Sequence, residues 1–338
     1  MSWEDLLAEF RALGGIADNL SLREGPRGRG LFPIDPARPV RLHVPGNLLI
    51  PVTALELRDG QLVVAAGGMM PNGTMPGGDR IGERERAFLA AYQRHFGWGS
   101  DARDALMRDQ AEWARLPAAV QEKMLAAGVP EERFLPPSEQ LCLSLFLKTR
   151  IIHHKGTRVV MPVMEMVNHA EGEGRYQLTD EVFLIEKTFP DEVLVSYGNA
   201  DPWGCATEFG FAERTISGLS LACAVSLGNV RISIGRDLND FNRNGTPIPR
   251  ATYGDGVISI PFLVLGNRDD PMAPANHFQA LIAGRGVANG DRIFNFVHRY
   301  NRDHYFELLR RLDGAPGHVA AMLRAATLYQ LEAISAHY

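Results

Sequence analysis

Cysteine is scarce in this chain of 338 residues: only Cys142, Cys205 and Cys223 occur, and no two form a Cys-x-x-Cys pair. An odd number of scattered thiols argues against a disulfide framework and against a structural zinc site. Such a pattern is typical of proteins in a reducing compartment, so we expect a cytoplasmic protein. The adjacent histidines His153 and His154 should point to opposite faces of a strand, and we therefore predict no metal site.

The chain also lacks a charge excess and a long apolar run. Its 35 Lys and Arg residues against 40 Asp and Glu residues give a formal net charge of -5, which offers no basic footprint for nucleic acid or an anionic membrane. The longest weakly polar run, ISGLSLACAVSLG, is too short to cross a bilayer. The beginning, MSWEDLLAEFRALGG, indicates an amphipathic helix that carries acids and not a signal peptide. We expect neither nucleic acid nor membrane as a partner.

The pattern of apolar residues predicts an α+β protein. Helical spacing appears at residues 3–13, over about 84–127 and from about 276 onward, and Ser138 is a candidate N-cap for a further helix. Short segments with a strand pattern and Gly/Pro turns lie between them. The strand segments are 20–66, 157–163, 181–187, 192–197 and much of 216–265, with loops predicted at GGMMPNGTMPGGD and NRNGTPIP. Strands and helices do not alternate, which disfavours a doubly wound sheet.

The segment MPVMEMVNHAEGEG, residues 161–174, ends an apolar run on Asn168 and His169. Both side chains are costly to bury without hydrogen-bond partners, so a ligand or protein groups must satisfy them. Two further segments are candidates for a site: REGPRGRGLF, where Gly28 and Gly30 allow close approach of the backbone to a ligand, and DEVLVSYG, where a predicted strand ends at Tyr197.

Taken in order, these segments resemble the SET-domain methyltransferases. The chain has GRG near its beginning, a helical insert, P-x-x-E-x-x-NH, then EVLVSYG and a final GF. The branch it resembles includes the Rubisco large-subunit lysine methyltransferases and the actin-histidine methyltransferases. The resemblance covers residues 15–213 and implies a SET domain of short, mostly antiparallel strands with a helical insert, followed by a mixed β and helical C-terminal domain. The implied division is an N-terminal helix at 1–14, SET parts at 15–83 and 148–213 around an insert at 84–147, and a C-terminal domain at 214–338.

The resemblance also implies roles for particular residues. S-adenosyl-L-methionine would be the cofactor, and S-adenosyl-L-homocysteine the product. The residues implied for cofactor binding are Arg27, Gly28, Arg29, Gly30, Arg150, Asn168, His169 and Phe211. Arg150 would face the cofactor's carboxylate, which the arginine fork can pair through two nitrogens, and Phe211 would stack on the adenine. Tyr197 would be the catalytic tyrosine at the methyl-transfer channel, while Thr149, Glu165 and Phe209 would line the substrate pocket.

The implied reaction suits these residue types. Methyl transfer from a sulfonium requires alignment and a neutral nucleophile more than a strong base. A lysine amine, with a reference pKa of about 10.4, must first lose a proton, and a narrow apolar channel disfavours its charged form. We therefore expect the Tyr197 hydroxyl to orient the amine, and not to act as a general base, since its own pKa is near 10.

The chain departs from the family's pattern at four places. The loop between His169 and the next predicted strand, Ala170 to Asp180, is short. Glu165 stands where the family has aspartate, Phe209 replaces a tyrosine, and ADPWGCAT follows the Tyr197 segment in place of the usual sequence. The expected substrate is a protein or peptide lysine, with histidine or a small-molecule amine as an alternative. The hypothesis from another class is an inactive SET-like module that binds a partner. A Rossmann-type enzyme is disfavoured because its glycine fingerprint is missing.

Overall fold

The computed structural model describes residues 1–69, 81–178, 182–198, 201–237 and 250–337. The chain divides into two compact units: Met1–Arg108 with Pro137–Tyr197, and Asp109–Pro136 with Gly198–Tyr338. The predicted loop NRNGTPIP lies outside the described residues, as does most of GGMMPNGTMPGGD. The division into an N-terminal helix, two SET parts, an insert and a C-terminal domain remains a prediction.

Helices occupy the N-terminus, the middle and the C-terminal part of the chain. They are α1 (Trp3–Ala12), α2 (Glu83–His95), α3 (Arg103–Ala114), α4 (Ala118–Ala126), α5 (Glu139–Lys148), α6 (Pro202–Gly204), α7 (Ala273–Ile282), α8 (Gly290–Leu312) and α9 (His318–Ile334). The cap predicted at Ser138 is confirmed, because its hydroxyl accepts from the Leu141 N–H at 3.2 Å. No helix in the described ranges is both long enough and apolar enough to cross a bilayer.

The described strands are short, with two to six residues each. They are β1 (Ile16–Asp18), β2 (Leu20–Gly25), β3 (Gly28–Pro33), β4 (Val40–Pro45), β5 (Ile50–Pro51), β6 (Leu55–Arg58), β7 (Gln61–Val64), β8 (Ile151–His154), β9 (Thr157–Val160), β10 (Asn168–His169), β11 (Gln177–Leu178), β12 (Val182–Lys187), β13 (Leu194–Val195), β14 (Ser217–Leu219), β15 (Cys223–Leu227), β16 (Val230–Ile234), β17 (Thr252–Gly254), β18 (Val257–Ile260) and β19 (Val264–Asn267). His153 is exposed and His154 buried on β8, as the alternation predicts.

In the first unit, the described strands form several small sheets. The orders are β1-β4-β12-β11, β5-β9-β8, β2-β3, β6-β7 and β10-β13. Only the β10-β13 pair among these is parallel. The core of the unit combines apolar residues of α1, α2 and these strands, for example Phe10, Leu42, Phe88 and Val193.

In the second unit, the described strands form β15-β16-β18-β17 and β14-β19, and only β16 and β18 pair in parallel. Its separate core consists mainly of α3, α4 and the C-terminal helices packed with these strands, as at Trp113, Ile232 and Phe294. The α+β class with short, mostly antiparallel strands is thus confirmed for the described residues.

Two strand boundaries differ from the prediction in a way that matters for the site. The strand predicted over 192–197 forms only as β13, Leu194–Val195, so Tyr197 follows the strand and does not end it. The strand predicted over 157–163 ends at Val160, because the chain turns at Val163, whose φ of 70° and ψ of -52° lie outside the strand region. A short 3-10 helix, Met164–Met166, follows and leads directly into β10.

Candidate active site

The candidate site lies in the first unit, where β3, β10 and β13 meet. Asn168 and His169 form β10, which pairs in parallel with Leu194 and Val195 of β13. The Val193 N–H donates to the Leu31 carbonyl at 2.8 Å and ties the start of β13 to β3. Segments distant in the sequence are therefore held together here by backbone hydrogen bonds.

Other groups of the protein accept the hydrogen bonds that the side-chain amide of Asn168 donates. Its Nδ2 donates to the Glu192 Oε1 at 2.7 Å and to the Arg29 carbonyl at 3.3 Å. The Glu192 carboxylate is buried and also pairs with Arg27 at 3.3 Å. Glu192 was missed as a site residue, although it stands directly before the strand in DEVLV. Asn168 thus links the GRG segment to the Tyr197 segment.

Glycine is required at each of the two glycine positions of GRG for a different physical reason. Gly28 begins β3, directly after the hairpin turn, with a φ of 85°, a region that favours glycine. A Cβ added at Gly30 would lie 2.5 Å from both Asn168 Nδ2 and Glu192 Oε1, so only glycine leaves room for that pair. Between them, the Arg29 guanidinium donates to the Phe96 carbonyl at 2.6 Å, just after α2.

Both the backbone N–H and the side-chain hydroxyl of Tyr197 donate hydrogen bonds. Its backbone N–H donates to the His169 Nδ1 at 3.0 Å, which places the proton of the neutral imidazole on Nε2. Its hydroxyl donates to the Val167 carbonyl at 2.7 Å. Burial raises the pKa of Tyr197 to about 12, an effect that nearby Arg150 opposes. The hydroxyl is therefore neutral at physiological pH, with its proton directed at the Val167 carbonyl.

Glu165 is joined to Tyr92 of α2, a residue that sequence analysis did not assign to the site. The Tyr92 hydroxyl donates to the Glu165 Oε1 at 2.9 Å, and the Tyr92 ring is fully buried. Among the described residues, the buried Glu165 Oε2 has no hydrogen-bond partner. Burial raises the pKa of Glu165 from 4.5 to about 7, although Arg150, Tyr92 and Arg29 each lower it.

The turn that presents Glu165 is strained. Val163 is a buried, β-branched residue with a φ of 70°, which costs about 1–3 kcal/mol in the folded state. Tyr92 helps to hold this turn, because its hydroxyl interacts with the Val163 backbone as well as with Glu165. Backbone strain of this kind clusters at functional sites.

Arg150 follows α5 and brings a positive charge close to Glu165 and Tyr197. Its guanidinium lies 4.0 Å from the centre of the Phe146 ring, and its Nη1 donates to Thr149 Oγ1 at 2.9 Å. The Thr149 hydroxyl in turn donates to the Phe146 carbonyl at 3.0 Å. Arg150 Nε is buried and has no partner among the described residues. An unpartnered edge of an arginine fork is suited to a carboxylate.

A second tyrosine accompanies Tyr197. Tyr176 lies in the connection after β10 and packs against the core of the first unit, as does Tyr197. Burial raises the pKa of Tyr176, and the charges of Tyr197 and Glu165 raise it further, which brings these three groups into one neighbourhood. Together with Tyr92, three tyrosines therefore lie near Glu165 in the first unit.

Phe209 and Phe211 belong to the second unit. Their ring centres are 6.2 Å apart, on either side of Gly210, whose φ is 82°. The roles that the resemblance implies for them, substrate contact and adenine stacking, remain predictions.

Replacing Glu165 with glutamine is expected to change how stability depends on pH. Below pH 4.5 the carboxyl is protonated in the folded and unfolded states; as the pH rises toward 7, the unfolded state ionises first. The wild-type chain should therefore lose up to about 3 kcal/mol of stability over this range, and Glu165→Gln should not. Thermal unfolding at pH 4.5 and at pH 8 measures this difference. An equal change in both proteins would contradict it.

No family model and no curated protein matches this chain. A solved structure described as Rubisco LSMT bound to AdoMet is similar to it, with a TM-score of 0.41 and 12% sequence identity. The likeness covers 98% of this chain and 90% of that chain. A TM-score of this size does not establish a common fold, so the assignment of the site depends on its own residues.

Proposed function

We propose that this chain is a cytoplasmic S-adenosylmethionine-dependent N-methyltransferase of the SET type, which methylates a lysine in a protein or peptide. The observation that carries the proposal is the fixed position of Tyr197. Its backbone N–H donates to His169 and its hydroxyl donates to the Val167 carbonyl, beside the parallel pair of β10 and β13. The division into two SET parts, an insert and a C-terminal domain belongs to the same proposal.

The residues present fit the cofactor. Arg150 Nε is a buried donor without a partner among the described residues, and it would pair with the carboxylate of the methionine part. The backbone of Arg27, Gly28, Arg29 and Gly30 and the segment Asn168–His169 would border the rest of the cofactor, with Phe211 against the adenine. When bound, S-adenosylmethionine supplies an electrophilic methyl group on a sulfonium.

The protein's own contribution is alignment. The Tyr197 hydroxyl donates its proton to the Val167 carbonyl, and its oxygen would accept an N–H from the amine. This contact orients the nitrogen lone pair along the line of transfer. Thr149, Glu165 and Phe209 are proposed to border the acceptor, and the buried Glu165 carboxyl favours a basic nitrogen over a neutral hydroxyl.

The proposal is tested by calorimetric titration of the full chain with S-adenosylmethionine and with 5′-methylthioadenosine, which lacks the amino-acid part. We expect saturable binding of both. Arg150→Lys keeps the charge but loses the fork, and it should weaken S-adenosylmethionine binding about 10-fold or more while the affinity for methylthioadenosine hardly changes. Arg158→Lys, on an exposed position of β9, is the matched control.

Absence of any binding heat together with absence of a thermal shift would refute the proposal. Binding without methylation of any acceptor in lysate treated with labelled cofactor would instead support the inactive module. Mass spectrometry of the labelled products distinguishes lysine from histidine and from a small-molecule amine.

A further inference from the structure

We propose that Glu165 accepts the proton that the acceptor amine loses before its nitrogen is methylated, and that Tyr92 positions Glu165 for this step. The inference rests on the proposed function and supplies a role that it leaves open. An ammonium ion has no lone pair, so a group in the site or a water must take its proton before the nitrogen can act as a nucleophile.

The geometry leaves one oxygen of Glu165 available. The Tyr92 hydroxyl occupies Oε1 at 2.9 Å, while Oε2 is buried with no hydrogen-bond partner among the described residues. Buried polar atoms in folded proteins are nearly always paired, and an unpaired one calls for an explanation. A bound N–H donor would satisfy Oε2. The strained turn at Val163, held by Tyr92, fixes the direction of the carboxyl.

The neighbouring tyrosines are poor proton acceptors. The Tyr197 hydroxyl donates to the Val167 carbonyl, and its pKa of about 12 keeps it neutral. Burial also raises the pKa of Tyr176, so its hydroxyl is neutral as well. Glu165, with a pKa of about 7, can ionise at physiological pH. It can therefore accept the proton of the ammonium and release it to solvent after the methyl transfer.

The groups around Glu165 agree with this role. Arg150 and Arg29 favour its ionised form, and burial opposes it. The groups that face it are Tyr92 from α2, Arg29 from β3, Arg150 after α5, Tyr176 after β10 and Tyr197 after β13. Strand β4 also packs on the Met164–Met166 turn and carries His43, whose pKa is lowered by burial, and Arg41, which pairs with Asp18 and Glu186.

The step balances without a further reactant. An N–H bond of the ammonium breaks, the proton moves to Glu165 Oε2, and the electron pair stays on nitrogen. That pair forms the new N–C bond while the methyl group's C–S bond breaks and its electrons remain on sulfur. The product is a methylated ammonium and a neutral thioether, and Glu165 returns its proton to solvent.

The first test measures kcat/KM against pH for methyl transfer to n-butylamine, a probe with the primary amine of a lysine side chain. The kcat/KM of the wild-type chain should rise as the pH increases through about 7. The kcat/KM of Glu165→Gln at pH 8 should be at least about 100-fold lower than that of the wild type, and it should not show this rise with pH. Tyr92→Phe should move the rise to higher pH, because the Tyr92 hydrogen bond lowers the pKa of Glu165. Glu186→Gln, an exposed carboxyl on β12, should behave as wild type.

The second test requires no turnover. The infrared carbonyl band of a protonated carboxyl should titrate near neutral pH in the wild type and in Glu186→Gln, disappear in Glu165→Gln, and shift to higher pH in Tyr92→Phe. Absence of such a band overturns the proposal, as does turnover of n-butylamine that keeps the wild-type pH profile in Glu165→Gln. A wild type that binds the cofactor but never methylates n-butylamine overturns it as well. Absence of cofactor binding in the calorimetric titration instead refutes the proposed function.

Discussion

Replacing Tyr197 with phenylalanine is expected to lower kcat by about 100-fold and to change the affinity for S-adenosylmethionine by less than about threefold. The substitution keeps the ring, and the backbone N–H that binds His169 is unaffected. It removes the hydroxyl that donates to the Val167 carbonyl at 2.7 Å and that would hold the amine. Single-turnover transfer of labelled methyl groups, measured beside calorimetric cofactor binding, separates these two effects.

A matched control exists in the second unit. The Tyr253 hydroxyl also donates to a backbone carbonyl, that of Leu281, and Tyr253 is exposed. Tyr253→Phe therefore makes the same chemical change outside the candidate site, and it should leave turnover at the wild-type level. If Tyr197→Phe retained turnover within about threefold of wild type, the proposed alignment of the amine would be wrong.

Replacing Asp201 with alanine is expected to destabilise the second unit by about 3–5 kcal/mol. The Asp201 side chain is fully buried, while that of Arg236, its partner at 2.8 Å, is 18% exposed. The carboxylate also accepts from the N–H groups of Gly204 and Leu219. Removing it leaves a largely buried guanidinium without its counter-charge and the two backbone donors without acceptors.

Differential scanning calorimetry of the full chain measures this effect, and the transition of the second unit should fall by about 6–20 °C. Glu332→Ala is the control, because Glu332 and its partner Arg214 are both exposed and pair at the surface at 2.9 Å. The control should leave the transition almost unchanged. Similar shifts for both variants would contradict a special role of the buried pair.

Local sequence signals predicted the elements well where the chemistry is local. The predicted cap Ser138 accepts from the Leu141 N–H, three residues along α5, and the helix predicted over 3–13 forms as α1, Trp3–Ala12. The strand boundary near Val163 was wrong, because no local residue indicates the turn. A β-branched residue at a φ of 70° is disfavoured on local grounds and persists only where the surrounding structure holds it.

The candidate site was only partly predictable, for the same reason. Asn168 and His169 were recognised as polar residues that need partners, but the sequence does not say which partners they have. The structure supplies Glu192 and the Arg29 carbonyl for Asn168, and the Tyr197 backbone for His169. These contacts join segments that are 24 to 139 residues apart, beyond the reach of any periodicity.

By itself, the sequence determined the α+β class, the positions of most helices and the candidate residues of the GRG, NH and Tyr197 segments. Only the tertiary structure decided what Glu165 contacts. Its neighbour Tyr92 is 73 positions away on α2, and the burial that raises its pKa to about 7 comes from the packing of several elements. A pKa depends on desolvation and nearby charge, and both are properties of the folded chain.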